Sequence, residues 1–253
     1  MLMFNTDNSR AAVERTISLK YHDKIILVSL RRAPTAKRFI LRVRLAMRDA
    51  VLTMPKRASL RDAQDFAERN AAWLYSRLQG LPEIIPFAHG SVIPLRGEDH
   101  IIERKNNNRG VVWIEGAEND QSLKKLCVVG HDAHIHRRIA DYLKKQARND
   151  LEDAVSKHAR ALSLAPRKIS LRDPISRWGS CSASGTLNFS WRLIFSPPFV
   201  LDYLAAHEVA HLMHLDHSPQ FWALTRQLCS TVDQSESWLT KHGAQLHKFG
   251  VKS

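Results

Sequence analysis

Cysteine is scarce in this chain: Cys127, Cys181 and Cys229 are the only three in 253 residues, odd in number, widely spaced and without a C-x-x-C. That excludes a disulfide-stapled miniprotein and points to free thiols in a reducing compartment, the cytoplasm. Long apolar runs are also lacking. No stretch approaches the roughly 18 residues of a membrane-spanning helix, and Met1–Arg10 has no apolar centre like that of a signal peptide. Neither an internal repeat nor a low-complexity segment is visible, and no P-loop or glycine-rich phosphate cradle. What is present is ordinary globular composition, 44% hydrophobic and 25% charged, which excludes a disordered or collagen-like chain. The length suits one large domain or two small ones.

Positive charge is in excess, 38 Lys and Arg against 25 Asp and Glu, and it is unevenly placed. Residues 1–60 hold 13 basic and 4 acidic residues, a net +9, whereas residues 61–150 are nearly balanced at +1 and residues 151–253 carry +3. Arg31, Arg32, Arg38 and Arg42 are the candidates for an anion-binding face toward nucleic acid, nucleotide or phosphate. The competing reading is a solvated strand face that keeps the chain soluble. Aromatics are sparse there, only Tyr21 and Phe39, so no base-stacking platform is expected.

Residues 15–54 read as strands. Ile17, Leu19 and Tyr21 alternate, as do Ile26, Val28 and Leu30, and Phe39, Leu41, Val43 and Leu45. Period two places these on one face of a small antiparallel sheet, with arginines on the other. Ser59 predicts the N-cap of a helix running to about Leu78, closed by Gly80 and Pro82. Short strands are expected at 99–103, 110–114 and 124–129, the first two joined by Asn106, Asn107 and Asn108, and a long amphipathic helix over about 132–163. The domain reading is therefore a basic β-rich region, residues 1–130 with one helix at 59–80, followed by a catalytic domain over 131–253.

The chemistry is concentrated in Leu201–Trp222, where His207-Glu208-Val209-Ala210-His211 forms an H-E-x-x-H. Positions i and i+4 share a helix face, so both imidazoles can hold one zinc ion, with Glu208 placed to deprotonate the water the metal holds. A catalytic site needs a third ligand. His214 would lie about 10 Å along the axis from His207, too far for one tetrahedral ion, so the chain must turn back. His217 is the first candidate, with Glu236 and Asp216 as alternatives. Three histidines and one open position would be a catalytic rather than a closed structural layout. His131, His134 and His136 form a second cluster, but their spacing suits a helix start less well, no acid partner stands out, and they read as solvated.

Arg177–Ser182 (RWGSCS), Thr186–Pro198 (TLNFSWRLIFSPP), His207–His211 (HEVAH) and His214–Trp222 (HLDHSPQFW) together resemble the YgjP-like metal-dependent hydrolases, relatives of the SprT-like and WLM metalloproteases. The resemblance extends more loosely to the basic N-terminal strands and to residues 53–60. It implies an α+β chain with a zincin-like catalytic domain, zinc ligands at His207, His211 and His217, and a general base at Glu208. The spacing of the third histidine equals that of metzincins, but His214 stands where those have glycine and no Met follows Met213.

Thr186–Trp191, alternating Leu187, Phe189 and Trp191, is expected to be the edge strand above the site, able to pair with an extended peptide. Trp178, Gly179 and Asn188 are the candidate substrate contacts, Gly179 because it allows close backbone approach. Phe221 and Trp222 are expected to pack beneath the histidines. The expected activity is a zinc metallopeptidase acting on peptide or protein. The alternatives are a metal-dependent nucleotide phosphoanhydride hydrolase using the N-terminal arginines, and a nucleic-acid-associated binding protein or DNA-associated protease.

Overall fold

A computed structural model describes residues 15–44, 49–81, 83–106, 110–117, 119 and 122–251. The strand position expected for Leu45 and the turn positions expected for Asn107 and Asn108 lie outside these residues. The chain divides into two compact units, Met1–Glu83 and Ile84–Ser253.

The first unit holds a four-stranded sheet in the order β1-β2-β4-β3, from β1 (Arg15–Tyr21), β2 (Lys24–Ala33), β3 (Ile40–Arg44) and β4 (Asp49–Pro55). The β1–β2 hairpin turns at His22, whose φ is +51°. The sheet is mixed rather than antiparallel: β4 returns between β2 and β3 and so runs parallel to β2. Leu19, Val28, Leu30, Leu52 and Met54 face one core with Ala63, Ala67 and Leu74, as the period-two pattern requires.

The helix expected over 59–80 is two helices, α1 (Leu60–Arg69) and α2 (Ala71–Gln79). Ser59 starts α1 through a capping box with Asp62. Asn70 ends it, its side-chain amide donating to the Phe66 carbonyl at 2.8 Å. Arg32 Nη1 donates to the carbonyls of Lys56 and Ala58, each at 2.8 Å. Arg38 and Arg42 are exposed and Arg31 is half-buried.

In the second unit, β5 (Val92–Leu95), β6 (Glu98–Lys105), β7 (Val112–Glu115) and β8 (Lys124–Val129) form a sheet in the order β5-β6-β8-β7. The 30-residue helix α3 (Asp132–Ala161) packs on it. Leu126 and Val128 share a core with Ile135, Ile139 and Leu143 of α3. Residues 84–130 therefore fold with the C-terminal half, and the compact units do not divide at 130. His131 is the N-cap of α3, accepting from the Ala133 N–H at 3.4 Å, and His136 packs beside Phe87.

The second sheet has the order β10-β11-β9, from β9 (Lys168–Arg172), β10 (Gly179–Cys181) and β11 (Thr186–Ser190). Its core joins Leu187 and Phe189 to Leu151 and Val155 of α3 and to Leu201, Ala205 and Val209 of α4 (Pro198–Ala210). Helices α5 (Pro219–Leu228) and α6 (Val232–His242) complete the unit. The strand over Thr186–Trp191 is thus not an edge: β11 is paired on both sides, and β9 and β10 form the edges. Trp191 is outside the strand and opens a 3-10 turn, Trp191–Phe195.

Candidate metal centre

Helix α4 begins with Pro198 at its first turn, where a missing N–H costs nothing. It is apolar nearly all round, and nine of its residues from Val200 to Ala210 are buried, so its position is set by packing on every side. His207 and Glu208 lie in its last turn, and His211 is its C-cap. Beyond it the chain tightens, Leu212 N–H donating to Val209 and both Met213 and His214 N–H to Ala210. Asp216 then accepts from the Ser218 N–H at 3.3 Å, and Ser218 caps α5. This reversal returns His217 to His207 and His211.

One ring nitrogen from each of these three histidines lies within 4.8 Å of the others. His207 Nε2 and His217 Nε2 are 3.2 Å apart. Tetrahedral zinc–imidazole bonds of about 2.05 Å place two ligand nitrogens about 3.4 Å apart, so the donor set fits such an ion. The tautomer also suits one at His211, whose Nδ1–H donates to the His214 carbonyl at 2.9 Å and leaves Nε2 with its lone pair. Burial first, and then the neighbouring imidazoles, depress the His207 pKa to about 3. Burial is also the largest influence lowering that of His211. Both are therefore neutral near pH 7, the form a metal takes.

Phe221, fully buried, is the floor of the cluster. Its ring centroid lies 4.9, 4.4 and 4.8 Å from those of His207, His211 and His217. Trp222 stands 5.9 Å from His207 and from His217. The two aromatics occupy the place expected of them.

Glu208 is 3% exposed, and its Oε2 has no hydrogen-bond partner among the described residues. Burial pushes its pKa up to about 8, opposed by the charge of Arg177. The carboxylate lies against Gly179, where a Cβ would stand 2.3 Å from Oε1. Any larger residue at this position of the edge strand β10 would displace the Glu208 side chain.

A cavity of about 300 Å³ opens beside His207 and Glu208. Trp178 and Gly179 line one side, Glu236, Leu239 and Thr240 of α6 another. Asn188 is not among its lining residues. It lies on β11 opposite Ser180, with its amide 3.5 Å from the Ser180 carbonyl. Of the alternative third ligands, Asp216 is held at Ser218, and Glu236 accepts from the Tyr203 hydroxyl at 3.1 Å. The Tyr203–Glu236 contact was not anticipated, since nothing in the sequence pairs two residues 33 positions apart.

A cluster of imidazoles beside a buried acid is the equipment of metal-dependent hydrolases, and comparison with known families narrows that class to metallopeptidases. The family described as YgjP-like, metallopeptidase domain, matches residues 37–242; the chain belongs to this family. Two solved structures resemble a part of it. The metallopeptidase zymogen abylysin of Pyrococcus abyssi is 19% identical, covering 36% of this chain and 93% of its own, with a TM-score of 0.33. The zymogen jannalysin of Methanocaldococcus jannaschii is 20% identical, covering 36% of this chain and 88% of its own, also with a TM-score of 0.33. No curated protein matches.

Proposed function

We propose that this metallopeptidase-family chain is a zinc-dependent peptidase with a zincin-like catalytic domain, in which His207, His211 and His217 hold the ion and Glu208 is the general base. The observation that carries the reading is the convergence of three imidazole nitrogens within 4.8 Å next to a buried, unpartnered carboxylate. When bound, the ion supplies Lewis acidity that makes a water nucleophilic near neutral pH. The Glu208 carboxylate would take a proton from the attacking water as the water oxygen adds to the peptide carbonyl. It then gives the proton to the amide nitrogen as the C–N bond breaks. Burial makes the Glu208 carboxylate a stronger base, and a bound cation would pull its pKa back down and keep it ionised to accept the proton.

An extended substrate has a place to bind. Among the described residues β10 pairs with β11 alone, and Gly179 on that strand touches Glu208. Main-chain pairing there would bring a peptide beside the carboxylate. Among the described residues the cavity wall carries Glu208 and Glu236 and neither Lys nor Arg, which favours a peptide over a nucleotide polyphosphate. Among the described residues no helix is long and apolar enough to cross a membrane. The three free cysteines, two of them buried, suit the cytoplasm.

The test is metal content together with hydrolysis of an unfolded protein. One zinc per chain is expected in the wild type, lost in His217→Ala and retained in Glu208→Gln, with hydrolysis abolished in both. A wild type that takes up no divalent metal, or a Glu208→Gln variant that hydrolyses at the wild-type rate, overturns the reading.

A further inference from the structure

Tyr203 sits one helical turn before His207 on α4, so the two rings share a face; their centroids are 5.8 Å apart and nearly perpendicular. The phenol is 3% exposed, and a buried hydroxyl needs partners. It has two. Its oxygen lies 3.1 Å from Glu236 Oε1 and 3.4 Å from His207 Nδ1.

An ionised carboxylate only accepts, so the Tyr203 hydroxyl must donate to Glu236. The phenol oxygen is then left to accept, and His207 Nδ1 must be the protonated nitrogen. That leaves the lone pair of His207 on Nε2, the nitrogen that faces His217 at 3.2 Å. From these contacts we infer that Tyr203 and Glu236 form a relay that positions His207 for metal binding: Nδ1–H to phenol, phenol to carboxylate. The inference rests on the proposed metal site and deepens it.

The relay does for His207 what the His214 carbonyl does for His211, with one difference. A carbonyl is neutral, whereas the relay ends on a negative charge, and a carboxylate behind an imidazole raises its basicity as a ligand. Helix α6 carries that charge to the site. Ser235, the neighbour of Glu236, is buried and donates to the Phe199 carbonyl of α4 at 3.3 Å, which ties the two helices where the relay crosses. Glu236, first considered a ligand, thus lies on the Nδ1 side of His207, away from the Nε2 that faces His217. Tyr203 and Glu236 are positioning residues: they act through His207.

Zinc affinity of the full-length metal-free protein, measured by competition with a chromophoric chelator, tests this. Tyr203→Phe removes the hydroxyl and keeps the ring. Glu236→Gln keeps an acceptor and removes the charge at an exposed side chain of α6. Each is expected to weaken zinc binding by about 10- to 100-fold. The double variant should be no weaker than the worse single one, because both break one chain. The visible absorption of the cobalt-substituted protein should shift in Tyr203→Phe, a change that loss of stability alone would not produce. Wild-type affinity in Glu236→Gln overturns the relay while leaving the three-histidine site standing. A wild type that binds no zinc overturns the metal site and the relay together.

Discussion

Gly179 and Glu208 occupy adjoining space so closely that a single added carbon on the glycine would stand 2.3 Å from the carboxylate. One residue is on the edge strand β10, the other in the last turn of α4. The backbone of Gly179 is in strand conformation, which alanine accepts, so the demand is for space alone.

Gly179→Ala is therefore expected to fold, to retain its zinc and to lose about 100-fold in peptide hydrolysis, because a base displaced by about 1 Å is misaligned with its water. Circular dichroism, metal content and initial rates on an unfolded protein substrate separate these effects. Unchanged hydrolysis would mean that Glu208 works from another position.

Phe221 lies under all three imidazoles, and its ring is fully buried. Phe221→Leu keeps the site apolar but withdraws the flat surface on which His211 stacks at 4.4 Å. A loss of about 1–3 kcal/mol in stability is expected, with zinc bound about tenfold more weakly. Chemical denaturation with and without zinc checks both. Loss of stability with no change in zinc affinity would reduce Phe221 to packing alone.

His247 supplies a pH dependence away from the metal ligands. It is buried and stacks on Trp178 at 5.1 Å. Burial and the charge of Arg192 depress its pKa from 6.5 to about 4, with Asp173 opposing them. Between these values the unfolded chain binds a proton that the folded chain refuses, so stability falls as pH drops from 6.5 toward 4. From pH 7 to pH 5 the loss assigned to His247 is about 1–2 kcal/mol. Urea denaturation of wild type and His247→Gln at the two pH values should show a smaller decline in the variant. Equal declines would place the titration elsewhere.

Periodicity read correctly where contacts are local. The i, i+4 spacing of His207 and His211 puts both on one face of α4, and the three- and four-residue recurrence of Ile135, Ile139 and Leu143 marks the buried face of α3. Ser59 is legible as an N-cap for the same reason, and the structure adds its reciprocal partner Asp62. The pattern misled where distant pairing decides. Leu187 and Phe189 alternate equally well in an edge or a central strand, and only the arrival of β9 beside β11 makes it central. Asn70 interrupts a helix whose apolar positions continue past it, because its side chain takes the Phe66 carbonyl. That Arg32 reaches the carbonyls of Lys56 and Ala58 follows only from the pairing of β2 with β4.

The sequence by itself determined the chemical inventory: two histidines and a glutamate at helical spacing, a further histidine within one tight reversal, and alternating apolar strands ahead of them. These follow from bond geometry over a few residues, which the chain carries wherever it folds. The tertiary structure alone decided that His217, rather than Glu236 or Asp216, meets the pair, that β10 is the edge strand facing Glu208, and that Glu236 reaches Tyr203. Those outcomes depend on how α4, α6 and the second sheet pack, and packing joins residues whose separation along the chain holds no record of their distance in space.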